Sequence, residues 1–261
     1  MHTKLTLLAD LRAIGICETD LLTVHTSLKA VGAVDPAGIS GGHTVLDALR
    51  KSVAEGILMV PAHTYRNIRE APVFHIRETM PCIGTMPGVA VRLANEAYDS
   101  GDRTCIRSMQ VSHSVVAFGK EAYDFVACDR SVETRTPMAG CYGNLYRQGG
   151  KILLLGVDLS KNTFIHVVDE VFDYGLDPVT GKAVLPPDCP FTEVTVTDYD
   201  GTVGIRRELR TVGPAAADFI RYESDLQEAG AITYGRIGDA PSMLIDARKC
   251  FDTVIRVRSQ K

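Results

Sequence analysis

The run Lys151-Ile152-Leu153-Leu154-Leu155-Gly156-Val157, followed by Asn162-Thr163-Phe164-Ile165-His166-Val167-Val168-Asp169-Glu170, constrains the fold more than any other stretch. An unbroken apolar block ended by Gly156 is the pattern of a strand covered on both faces, and such strands belong to sheets with helices above and below. The segment from Asn162 opens like a helix capped by Asn162 or Thr163. His166 thereby falls in the first turn after a buried strand, where open α/β sheets present unpaired backbone N–H groups to ligands. On that helix Asp169 and Glu170 lie three and four residues beyond His166, so either carboxylate can accept one ring N–H and leave the other nitrogen as a base. The same spacing also fits a surface helix pair or a core histidine, and spacing alone does not assign catalysis.

The remaining pattern predicts an α/β fold. Residues 3–14 read as a helix with Leu5, Leu8, Ala9 and Leu11 on its apolar face and Gly15 past its end. A strand over 20–27, a Gly41-Gly42 turn, a helix over 44–54 with Leu46, Leu49 and Val53 inward, and a strand over 57–60 stopped by Pro61 follow. Residues 63–87 carry Tyr65, Arg66, Arg69, Glu70, His75, Arg77 and Glu78 among few periodic apolar positions, which suits a functional loop or lid. Helices are expected over 88–98 and 120–127, a strand over 114–118, and a loop over the Pro- and Gly-rich 175–190. Asp198-Tyr199-Asp200-Gly201 marks a hairpin between strands at 192–196 and 203–207. A long helix over 214–229 and helical spacing over 243–251 complete the reading. Neither a repeat nor an interdomain linker is visible, so 1–261 reads as one domain whose part from about 191 to 261 packs as a subdomain.

With 45% hydrophobic residues the chain can bury a sizeable core, and a net charge of -4 argues against nucleic acid as a partner. No stretch approaches the roughly 18 apolar residues of a membrane span, and the start leads directly into an amphipathic helix, so a cytoplasmic location is expected. Cys17, Cys82, Cys105, Cys128, Cys141, Cys189 and Cys250 are scattered without a CxxC pair, as reduced thiols are. No metal site is expected, and a nucleophilic Cys105 or Cys141 lacks a partner that sequence can nominate.

Several motifs then combine. Val24-His25-Thr26-Ser27-Leu28, Gly41-Gly42-His43-Thr44-Val45-Leu46-Asp47-Ala48-Leu49, Gly56-Ile57-Leu58-Met59-Val60-Pro61, Arg107-Ser108, His113-Ser114-Val115-Val116-Ala117-Phe118-Gly119 and Leu155-Gly156-Val157 through Asn162-Thr163-Phe164-Ile165-His166 occur in this order. Together the series resembles the aminoglycoside 3-N-acetyltransferase family, and Gly235-Arg236-Ile237-Gly238-Asp239-Ala240 is similar to that family's late Gly-rich segment. The resemblance implies a mixed central sheet flanked by helices, distinct from the GCN5-type acetyltransferases, and an acetyl-CoA-dependent N-acyltransferase. The histidine of the family's Asn-Thr-x-x-His motif, its proposed general base, matches His166. The acid that usually follows three positions on is Glu; here Asp169 stands there, with Glu170 next as the alternative. Glu208 matches a later acid near the substrate amine, and Glu170 and Tyr65 are further acceptor candidates. After Arg107-Ser108 the family often has a His-Pro pair, replaced here by Gln110-Val111.

CoA phosphates want hydroxyls, N–H groups and cations, and the pantetheine amides pair with strand edges. The candidates are His25, Thr26, Ser27, Lys29, Arg107, Ser108, His113, Ser114 and Val115. Each has an ordinary alternative: Ser27 can cap a helix and Arg107 can sit in an ion pair. The expected activity is acetyl transfer to a small-molecule primary amine, with a homodimer as the candidate assembly and without nucleic acid or membrane. The acceptor is an aminoglycoside or, because a basic lid repels polycations, another amine metabolite. Two other readings compete: a non-catalytic CoA-binding protein, and a hydrolase using His166 with Ser27, Ser114 or Cys141, although no Gly-x-Ser-x-Gly elbow is present.

Overall fold

Three apolar blocks lie side by side at the centre of the molecule, because each is hydrophobic on both faces and needs a helical layer on either side. In the computed structural model, which describes residues 1–36, 39–131, 134, 136, 138–174, 191–209 and 218–260, the first two are β1 (Leu21–Thr26) and β2 (Ile57–Pro61). After β3 (Val73–His75), β4 (Cys105–Arg107) and β5 (Val115–Phe118) comes the third, β6 (Lys151–Leu155). The chain continues through β7 (Phe191–Thr197), β8 (Val203–Leu209), β9 (Ile232–Ile237) and β10 (Ala240–Asp246). Seven strands form one mixed sheet in the order β4-β5-β2-β1-β6-β10-β9. β2, β1 and β6 run parallel, and every outer pairing is antiparallel. The chain leaves β1 towards β2 on one side and returns to β6 on the other. The carboxyl end of β1 is therefore a topological switch point, where the following loops diverge and open a crevice.

One face of the sheet, with Leu22, Val24, Leu58, Leu153 and Leu155, is covered by helices Lys4–Ala13, Ile39–Ser52 and Met86–Ser100. The other face, with Met59, Ile152, Leu154 and Ile245, lies under Cys141–Gln148, Ile165–Tyr174 and Ala247–Ser259. Leu153, Leu154 and Leu155 are fully buried, and truncating such a leucine to alanine costs about 2–5 kcal/mol. A second, three-stranded sheet, β3-β7-β8, contains the expected hairpin, whose turn uses Gly201 at φ +83°. Among the described residues no helix is long and apolar enough to cross a membrane.

Several local expectations are corrected. Gly41 and Gly42 lie inside the helix that begins at Ile39, not in a turn before it. A Cβ on Gly41 would come within 3.1 Å of the Pro36 carbonyl oxygen, and one on Gly42 within 3.2 Å of Leu28 Cδ1, so close packing, not a turn, uses these glycines. Leu5 is 78% exposed, and Leu7 and Leu11, one helical turn apart, make the inner face of the first helix. Residues 63–87 are not a detached lid: they form helix Tyr65–Glu70 and β3, and they bury Ile68, Phe74 and Ile76 in the core. The helical reading of 243–251 is half right, since β10 runs to Asp246 and its carboxylate caps the helix from Ala247 through Lys249 N–H. Within 214–229 the described part is a 3₁₀ turn, Phe219–Tyr222, followed by the short helix Glu223–Glu228. The loop expected at 175–190 and residues 210–217 lie outside the described residues.

Candidate active site

Parallel strands bring their carboxyl ends to one edge of the sheet, and all three deliver a histidine there. His25 is in β1, His63 stands two residues beyond β2, and His166 lies in the helix after β6. His63 is at the centre: its Nε2 is 2.7 Å from the Tyr142 hydroxyl, and its ring centroid is 4.5 Å from His113 and 6.4 Å from Tyr65. Burial, reinforced by the positive charge that His25 and His166 can carry, holds His63 well below the ordinary histidine range. Burial alone brings His25 down to about 4, so its ring is neutral near pH 7. Its Nε2 is buried without a hydrogen-bond partner among the described residues.

His166 differs in being partly open to solvent. Its Nδ1 lies 3.1 Å from Asp169 Oδ2, and the second oxygen of Asp169 meets Arg258 Nη1 at 2.5 Å. The ring stands edge-on to Phe219, centroids 4.9 Å apart. A carboxylate can only accept, so Nδ1 carries the proton and Nε2 keeps its lone pair. Glu170, about 100° further around the helix, points inward. One of its oxygens accepts from the Thr136 N–H at 2.8 Å and the Thr136 hydroxyl at 3.0 Å, and burial raises its pKa. Of the two acids left open by spacing, Asp169 touches the imidazole. Glu208, on β8, accepts from the Ser112 hydroxyl beside His113, whose ring lies nearly parallel to Tyr65 at 5.8 Å. Tyr65 and His113 thus lie beside His63, and Glu208 reaches Ser112, the neighbour of His113 in the chain.

The expected CoA set divides. Arg107 is 1% exposed and its guanidinium is spoken for: Nη1 donates to the carbonyls of Ile76 (2.9 Å) and Thr79 (2.7 Å), Nη2 to Ala62 (3.3 Å) and Nε to Ser114 Oγ (3.1 Å). Burial lowers its pKa to about 10. A sealed cation cannot meet a phosphate, so the assignment of Arg107 is corrected to a structural brace. Ser108 accepts from Val115 N–H at 3.1 Å, and Ser114 donates to the Ala62 carbonyl at 2.7 Å. Val115 pairs between β4 and β2 with no open edge for pantetheine. These three are corrected likewise.

The group after β1 is more accessible. Thr26 is half-buried with its hydroxyl 3.8 Å from Met86 Sδ, and Ser27 Oγ accepts from Ala30 N–H at 3.4 Å, capping the turn Leu28–Val31. Lys29 is exposed. Ser27 also lines a cleft of about 630 Å³ together with Gly156, Asp158, Lys161, Tyr234 and Pro241. Gly156 has φ +68°, and a Cβ there would approach that of Ala30 to 2.4 Å.

The sequence reading passed over His63, Tyr142 and Arg258. His63 carried the same signal as His166, a histidine just beyond a buried strand. Tyr142 and Arg258 carried none, since they meet their partners across 79 and 89 residues. The fold also pairs two thiols that looked scattered, with Cys128 and Cys141 Sγ 4.0 Å apart. The donor atoms of these two and Asp129 lie within 4.8 Å of one another, yet each is engaged. Both sulfurs face the Phe125 carbonyl, and Asp129 accepts from Cys141 N–H at 2.9 Å. Burial pushes the Cys141 thiol well above its ordinary range, which disfavours the thiolate a nucleophile needs.

A family model described as aminoglycoside 3-N-acetyltransferase matches residues 23–258. The chain is 30% identical over 273 residues to aminoglycoside N(3)-acetyltransferase III of Serratia marcescens, covering 95% of this chain and 94% of that protein. It is 28% identical over 272 residues to aminoglycoside N(3)-acetyltransferase VIII of Streptomyces fradiae, covering 94% and 87%. Its fold is similar to AAC-IIIb in binary complex with CoASH (TM-score 0.76, 23% identity, 99% and 97% covered). It is also similar to AAC-VIa bound to sisomicin (TM-score 0.76, 19% identity, 99% and 98% covered).

Proposed function

Because the chain belongs to the aminoglycoside 3-N-acetyltransferase family, we propose that it transfers an acetyl group from acetyl-CoA to the 3-amino group of an aminoglycoside, with His166 as general base. The observation that carries this reading is the His166–Asp169 hydrogen bond, which leaves Nε2 as a proton acceptor beside the crevice at the strand ends. Bound acetyl-CoA supplies the activated acetyl thioester. As the amine nitrogen bonds to the acetyl carbon and the carbon–sulfur bond to CoA breaks, Nε2 of His166 takes a proton from the amine, Asp169 stabilises the imidazolium that results, and the departing thiolate receives that proton to leave as the free thiol. The cleft beside Ser27 offers the cosubstrate a hydroxyl from Ser27 and a cation from Lys161 next to the carboxylate of Asp158, exposed Lys29 lies two residues from Ser27, and Gly156 projects no side chain.

A polycationic acceptor is easier to accommodate than the lid's composition suggested. Arg77 is clamped by Asp99 at 2.7 and 2.6 Å and His75 lies 3.8 Å from Glu78, so these two face carboxylates, while Arg66 and Arg69 are exposed. Glu208, buried beside Ser112 and His113, places a carboxylate near the crevice, while that of Asp169 is shared between His166 and Arg258. The relatives' name as N(3)-acetyltransferases and the sisomicin held by AAC-VIa support the same acceptor class. The test is a panel of amines with acetyl-CoA, followed by release of free thiol. Aminoglycosides with a 3-amino group should release it, and simple amines should not. Release with other amines alone would assign a different acceptor; release with none would leave a CoA-binding protein.

A further inference from the structure

The pair of His166 and Asp169 is not self-supporting. Both residues lie on one helix, three positions apart, and both are partly exposed, with side chains 38% and 27% accessible. A hydrogen-bonded pair in that setting gains little and exchanges among rotamers, because water competes for each partner. Here Asp169 is held from elsewhere. Arg258, in the last turn of helix Ala247–Ser259, places Nη1 2.5 Å from Oδ1, leaving Oδ2 aimed at His166 Nδ1. The guanidinium lies over the ring of Phe172, 4.6 Å from its centroid, one turn beyond Asp169 on the same helix. A flat cation that stacks in this way loses little freedom when it binds a carboxylate. Glu170 cannot substitute for Asp169, since its carboxylate is turned onto Thr136.

We infer that Arg258 is a positioning residue: by fixing the Asp169 carboxylate it selects the His166 tautomer with the proton on Nδ1 and the lone pair on Nε2. This rests on the reading of His166 as base. Without Arg258 the carboxylate swings into solvent, the imidazole samples both tautomers, and only part of the population presents Nε2 as an acceptor.

The experiment uses the full chain labelled with 15N-histidine, without substrates, and reads the His166 ring nitrogens by long-range 1H–15N correlation near pH 8. Wild type should show a protonated Nδ1 and a bare Nε2. Arg258→Met should show averaged shifts, and Arg258→Lys, which keeps a cation on Oδ1, should move back towards wild type. In turnover with an accepted amine, Arg258→Met should lose on the order of tenfold in kcat with the KM for acetyl-CoA within about twofold, and Lys should recover part of the loss. A wild-type tautomer in Arg258→Met overturns the inference whatever happens to kcat, and so does an averaged tautomer with unchanged kcat. If the Met variant does not fold, Arg258→Gln, which keeps an N–H donor without the charge, is judged on the same two readings. Should wild type acetylate no amine, the acetyl-transfer reading fails, while the tautomer measurement still accepts or rejects the role of Arg258.

Discussion

Acid should destabilise this protein through His25 before its carboxylates titrate. His25 is buried, its Nε2 has no hydrogen-bond partner among the described residues, and its pKa falls from the ordinary 6.5 to about 4. The unfolded chain therefore binds a proton below pH 6.5 that the folded chain refuses until about pH 4. The stability this group contributes is complete above 6.5 and is lost as pH falls through that window. The whole difference is worth about 3 kcal/mol at 1.36 kcal/mol per pH unit, and about 2 kcal/mol of it is gone at pH 5. For a chain of this size that corresponds to a Tm roughly 4–8 °C lower. His63, also lowered by burial, adds in the same direction. The assay is urea unfolding of wild type and His25→Gln at pH 7.5 and pH 5. Wild type should lose about 2 kcal/mol more than the variant between the two pH values, whatever the variant's stability at pH 7.5. Equal losses in the two proteins would refute the argument, as would an NMR titration of His25 centred near 6.5.

Other expectations follow from the site. His166→Ala should lower kcat by about two to four orders of magnitude while calorimetry finds CoA affinity unchanged, because a base acts on the transition state. Comparable turnover in the variant would remove His166 from the chemistry. Arg107→Met takes the guanidinium donor from the buried carbonyls of Ile76 and Thr79, leaving that of Ala62 to Ser114, and should cost about 3 kcal/mol in chemical denaturation. Weakened CoA binding at low salt with normal stability would instead make Arg107 a phosphate partner. Asp169→Asn should cost at least about a hundredfold in kcat, whereas Glu170→Gln, which keeps an oxygen for Thr136, should stay within a few fold. The reverse order in steady-state kinetics would transfer the supporting role to Glu170.

The elements legible from sequence are those whose cause is local. An apolar block bounded by Gly156 specifies β6 wherever it is placed, Asp200-Gly201 turns the hairpin by its own backbone preference, and a histidine just past a buried strand is sent to the strand-end crevice. The motif order added the family and the mixed sheet. What only the tertiary structure decided are choices among partners distant in sequence. A charged residue reads the same on the surface or in the core, so nothing local announced that Arg107 would be sealed among carbonyls 28 to 45 residues away. Asp169 and Glu170 are equivalent by spacing until Arg258 holds one and Thr136 the other, across 89 and 34 residues. Tyr142 reaches His63 only because the helix carrying it packs on the same face of the sheet. Short-range propensity forms an element at its own position, whereas the contacts of a side chain depend on which elements the topology sets against it.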